Sequence, residues 1–132
     1  MRLTHLLLAA AALLCSTPAF PLSTVTGLSL LHDCQSAIKG TDDLAHLTTE
    51  QDRASGRCIS YVQGLMDANE FWVHRDKVLH GSTKHYCIER DTSLEQVIRI
   101  LVKYLENTPK DLNENGWICL EAALQQDFPC KG

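Results

Sequence analysis

Six cysteines and six histidines in 132 residues are the side chains with the most chemistry to offer, as thiolate nucleophiles, metal ligands or disulfide partners. A nucleophilic cysteine needs a histidine within hydrogen-bond reach and a lowered pKa. His32, His46, His74, His80 and His85 fall into no recognisable nucleophile motif. His74, His80 and His85 share one stretch, which raises zinc. Structural zinc, however, uses tight spacings such as C-x2-C, and catalytic zinc a helical pair such as H-E-x-x-H. Neither spacing occurs, so these histidines read as solvated neighbours of Arg75, Lys77 and Lys84. Asp42 and Asp43 sit in a polar turn, Asp67 stands alone, and Gly-rich phosphate loops and G-x-S-x-G elbows are absent. The sequence therefore points away from an enzyme, with no catalytic residue, metal site or cofactor to assign.

The cysteines make better sense as staples. Residues 1–19, MRLTHLLLAAAALLCSTPA, carry a charge at Arg2, an apolar run from Leu6 to Leu14, and small residues at Thr17 and Ala19. That pattern is a secretory signal peptide, and its apolar run is shorter than the roughly 20 residues that span a bilayer. The mature domain is expected to be residues 20–132, soluble and exported to an oxidising compartment. Loss of Arg2 changes 12 basic against 16 acidic residues to 11 against 16, taking the net charge from -4 to -5. Nucleic acid and anionic membranes, which favour basic surfaces, are thereby disfavoured as partners. Cys34, Cys58, Cys87, Cys119 and Cys130 remain, an odd number that leaves one thiol without an intramolecular partner.

Helical periodicity organises the rest. Leu28, Leu31, Cys34 and Ile38 recur at spacings of three and four, predicting a helix that Gly40 ends. A polar stretch follows, with Thr48 or Thr49 as the N-cap of a second helix. On that helix Cys58, Tyr61, Val62, Leu65, Asn69 and Trp72 form one stripe, and Gly64 costs about 1 kcal/mol against alanine. The usual compensation is another backbone packed close, which is expected here. From Glu70 to Tyr86 the pattern breaks down, and Gly81-Ser82 signals a turn, so this segment is expected to be a long exposed loop with at most a helical start. Thr92 to Glu95 form an S/T-x-x-E capping box for a third helix, on which Leu94, Val97, Ile98, Leu101, Tyr104 and Leu105 keep the 3.6 period until Pro109. After the turn TPKDLNENG, a last helix carries Trp117, Leu120, Leu124 and Phe128 on one face. No stretch alternates with period two, and the prediction is an all-α single domain of four main helices.

Consecutive antiparallel helices bring the end of one beside the start of the next. Cys34 and Cys58 can then meet, as can Cys87 and Cys130, although sequence alone leaves the connectivity open. Each bridge would contribute roughly 3–4 kcal/mol. Cys119, beside Leu120, reads as a small buried hydrophobe. The exposed segment with Trp72, His74, Arg75 and Lys77 has the residue types that anchor protein partners, and the Lys110–Asn115 turn, with Lys110, Asn113 and Asn115, is a second candidate.

Three stretches taken together, CISYVQGLMDA, YCIE with TSLEQVIRILVKYLENTPK, and LEAALQQDFPC, resemble the Rap/Tai family of type VI secretion amidase immunity proteins. The resemblance runs from about Leu30 to Cys130 and includes C-x-x-Y-x-x-G, YL-x-x-x-P and the terminal FPC. The chain departs from the family at Glu89, where proline is common, and at Cys119, an extra cysteine. Cys34, Cys58, Cys87 and Cys130 match the family's cysteines, and Tyr61, Gly64, Tyr104 and Pro109 its packing and turn positions. The resemblance implies a helical, disulfide-bonded periplasmic homodimer that binds a papain-like cell-wall amidase effector and blocks its cleft. A rival from another class is a helical periplasmic chaperone of the acid-stress type without a toxin partner. It predicts dissociation and apolar exposure at low pH.

Overall fold

A computed structural model describes residues 24–43, 46–80 and 85–130. The expected signal peptide, the Gly81-Ser82 turn and Lys84 lie outside the described residues. Among the described residues the fold is all-α with four helices: α1 (Gly27–Asp42), α2 (Thr49–His80), α3 (Leu94–Asn107) and α4 (Gly116–Asp127), with a 3-10 turn at Pro109–Asn113 between the last two. One antiparallel β-bridge, Thr26 to Asn115, ties the entry of α1 to the entry of α4.

Side chains cap the starts of α1, α2 and α3, and the start of α4 is held by backbone alone, the Gly116 N–H donating to Val25 O at 2.8 Å. Thr26 and Ser29 cap α1 reciprocally: the Ser29 N–H donates to Thr26 Oγ1 at 3.3 Å and the Thr26 N–H to Ser29 Oγ at 3.0 Å. Thr48 and Gln51 do the same for α2, at 3.3 and 3.0 Å. The α3 cap is Ser93, one residue later than expected, and its Oγ accepts from the Gln96 N–H at 3.1 Å. Thr92 is engaged in a turn through its N–H to Glu89 O (3.1 Å), and the Glu95 carboxylate accepts from Arg99 instead of closing a box. Beyond α3, Pro109 opens the 3-10 turn, which Tyr104 fastens by donating to Asp111 at 2.5 Å.

The core lies where the four helices face each other, with Leu30, Val62, Leu101, Leu105 and Leu124 fully buried. Two clasps lock it. Cys34–Cys58 joins α1 to α2 inside the core, and Cys87–Cys130 joins the segment before α3 to the end of α4 at the surface. Arg57 adds a polar tie between α1 and α2, donating to Asp33 at 2.8 and 2.9 Å and holding that carboxyl below its usual range. Among the described cysteines Cys119 is the free thiol and it is buried; burial and the nearby Asp111 and Glu114 push its pKa up, so it packs as a small apolar group.

Four expectations about these helices are corrected. Helix α1 runs two residues past Gly40, to Asp42. It turns Leu30, Cys34 and Ala37 inward while Leu28 is 56% exposed, because Gly27 sets the first turn against the 3-10 segment and rotates Leu28 outward. Helix α2 does not give way to a loop after Glu70 but continues to His80, 32 residues in all. No proline interrupts Glu70–His80, and its described side chains are exposed apart from the half-buried Val73, so its irregular polarity carries no stripe to read. At 1.5 Å per residue α2 is about 48 Å long against about 21 Å for the 14 residues of α3, and beyond Val62 none of its described side chains is fully buried.

Gly64 is the fourth. A Cβ added there would meet nothing within 4 Å, so no close-packed backbone offsets its entropy. Gly64→Ala is therefore expected to stabilise the fold by about 0.5–1 kcal/mol, read as a higher urea midpoint with unchanged slope. A loss of stability would mean that the exposed side of α2 is covered.

Candidate protein-binding surface

The projecting half of α2 carries the residues that sequence singled out, on a helix and not on a loop. Trp72 is 53% and Phe71 62% exposed, their rings meeting edge to face with centroids 5.6 Å apart. The Arg75 guanidinium lies 5.0 Å from the Trp72 ring centre, a cation–π contact, and His74 and Lys77 are also exposed. Trp72 follows Leu65 and Asn69 on the same helical stripe as Cys58 and Val62, so the core-forming face of α2 continues past the point where the bundle covers it.

The Lys110–Asn115 turn is placed differently. Lys110 and Asn113 are exposed, while Asn115 is half-buried at the start of α4 and engaged through its backbone in the bridge to Thr26. None of the three lines the depression formed by α2 and α4. The structure thus does not join the two candidate contact groups into one patch there.

That depression, about 410 Å³, was not foreseen. Leu65, Asn69, Trp72 and Val73 line it from α2, Trp117, Leu120 and Glu121 from α4, and His85 and Tyr86 from the segment that leads to Cys87. Trp117 was expected in the core, yet it is 51% exposed. At 100° per residue it stands about 90° from the middle of the Cys119, Leu120, Ala123 and Leu124 stripe, which puts it on the shoulder of the helix. Glu121 Oε1 accepts from His85 Nδ1 at 2.7 Å and from Gln125 Nε2 at 3.1 Å. Tyr86 is half-buried, and burial, with Glu121 and Glu70 acting on it, pushes its hydroxyl pKa up to about 12. The Cys87 N–H donates to Phe128 O at 2.8 Å beside the Cys87–Cys130 clasp, which fixes the His85–Tyr86 wall against α4.

Nothing in this arrangement resembles a reaction centre. His74 and His85 are exposed, His80 is outside the described side chains, and among the described residues no three His, Cys, Asp or Glu converge as a metal site. No described helix is long and apolar enough to cross a membrane. The arrangement suits recognition: aromatic and basic side chains on a rigid projecting helix, next to a walled groove.

Comparison with known proteins gives the frame for these features. No curated protein and no solved structure matches the chain. A family match runs over residues 26–130, from the cap of α1 to the last disulfide cysteine, and takes in all four helices and both clasps. The chain belongs to the family of Rap1a immunity proteins.

Proposed function

We propose that this protein is a periplasmic immunity protein that binds a papain-like, peptidoglycan-cleaving amidase effector of a type VI secretion system and occludes its active-site cleft. The observation that carries this reading is the family match over residues 26–130. Residues 1–19 act as the export signal, residues 20–132 form the mature inhibitor, and two copies form the working homodimer. No observation favours the acid-stress chaperone.

Physical chemistry supports occlusion over any chemical inactivation. A bundle locked by two disulfides loses little conformational freedom on docking, so less of the contact energy is offset by ordering. A helix that projects beyond its bundle is shaped to enter a cleft, and Trp72 with Arg75 supplies the residue types that dominate binding energy at protein interfaces. His74 and Lys77 extend this contact, with the Lys110–Asn115 turn as a secondary one.

Co-purification of the mature chain with the amidase encoded beside it tests the reading. A stable complex and loss of amidase activity are expected, and absence of both would end it. Trp72→Ala should weaken the complex by about 2 kcal/mol, on the order of 30-fold, with unchanged circular dichroism. Wild-type affinity in that variant would move the contact away from the α2 end.

A further inference from the structure

We propose that the groove between α2 and α4 is a pocket for one cationic side chain, a lysine or arginine presented by the bound partner protein. Trp72, Tyr86 and Trp117 line it together with the Glu121 carboxylate. The proposal deepens the immunity reading, since the partner it names is the effector.

Three features select this occupant. Aromatic rings present a negative face, and a cation within about 6 Å of one is attracted to it, most strongly by tryptophan. One rim residue already demonstrates this preference: Arg75 lies over Trp72, and it is not among the residues that line the groove. The fixed charge is of matching sign. Among the described residues Glu121 keeps Oε2 without a hydrogen bond while Oε1 serves His85 and Gln125, and Glu70, which makes no ion pair among them either, acts with Glu121 on the Tyr86 hydroxyl. An anionic group entering here would meet Glu121, and a purely apolar one would cover that carboxylate without pairing it. Leu65, Val73 and Leu120 then suit the aliphatic stem that carries a lysine or arginine head. Overall charge agrees, because a chain of net -4 attracts basic partners.

The chain offers its own reporter. Its two tryptophans, Trp72 and Trp117, both line the groove, so all intrinsic tryptophan emission originates there. The probe is a blocked peptide, acetyl-Gly-Arg-Gly-amide, titrated into the disulfide-bonded chain at low salt. Its control is the same peptide with citrulline, which keeps the shape and lacks the charge. A saturable emission change is expected with half-saturation on the order of millimolar, and at least about tenfold weaker binding for citrulline. Glu121→Gln, which retains an acceptor for His85, should weaken the arginine peptide about fivefold or more, and Trp117→Leu should abolish the response while Trp72 still emits. Equal binding of both peptides, no saturable response to either, or an unaffected Glu121→Gln variant would overturn the proposal. The same variants in the amidase complex separate it from the immunity reading. A complex that forms but ignores Glu121→Gln and Trp117→Leu removes the pocket and leaves inhibition standing, whereas arginine binding without any amidase complex does the reverse.

Discussion

Replacing Cys34 and Cys58 together by alanine is expected to lower the unfolding free energy by about 4–5 kcal/mol, on the order of half of what holds a domain this size. The bridge closes a sequence separation of 24, for which the loop-entropy account gives about 3.4 kcal/mol. Both cysteines are fully buried between α1 and α2, so their truncation also removes packed sulfur atoms, about 1 kcal/mol more. Urea unfolding of the double variant against the oxidised parent is the measurement, and a loss under about 1.5 kcal/mol would show that packing alone sets the α1–α2 pair. The Cys87–Cys130 bridge closes a longer separation of 43 and would nominally contribute about 4.0 kcal/mol. It is exposed, and Cys87 and Cys130 both lie outside the helices, so without it the native state gains freedom locally and part of that entropy is offset. The shorter loop is therefore expected to matter more to global stability, and the longer one to the His85–Tyr86 wall.

The cysteines were legible because antiparallel helices constrain which ends can meet, and that constraint needs no side-chain detail. Helix α3 was legible for a related reason: Val97, Ile98, Leu101 and Leu105 leave only one face to bury. Helices α1 and α4 were ambiguous. Spacings of three and four fit Leu28, Leu31, Cys34 and Ile38 as well as Leu30, Cys34 and Ala37; Cys34 belongs to both, Leu31 and Ile38 pack half-buried at the edge of the core, and the docking of Gly27 on the 3-10 segment leaves Leu28 outside. Trp117 misled in the same way, since a residue on the shoulder of a stripe shares the spacing of those at its centre. The α2 extension was lost because periodicity reports burial, and a stretch in which no described side chain is fully buried has little to report. The groove was beyond any local pattern, its walls coming from residues 65–73, 85–86 and 117–121, with a His85–Glu121 contact that spans 36 residues. What sequence did locate, Trp72 and Arg75 as exposed aromatic and basic side chains, it found from residue type rather than geometry.

Leu101→Ala should cost about 3–4 kcal/mol, lowering the midpoint of thermal unfolding by roughly 12–18 °C. Leu101 has no exposed surface and sits mid-way along α3, the helix that packs against both α1 and α4. Its truncation leaves a void that cannot easily close. The surrounding backbone is restrained by the buried bridge, by the Gln35–Glu106 hydrogen bond at 3.0 Å, and by the Arg99 contact with Asp42, each of which resists the inward shift of a helix. Sites that collapse poorly lie toward the upper end of the Leu→Ala range. Leu28→Ala is the control, because that leucine has the same chemistry and 56% exposure, and its effect should stay within about 0.5 kcal/mol. Calorimetry of the two variants tests whether Leu28 stands outside the core while Leu101 stands within it. Comparable losses at Leu28 and Leu101 would mean that α1 turns its other face inward, and the placement of Gly27 against the 3-10 segment would then be wrong as well.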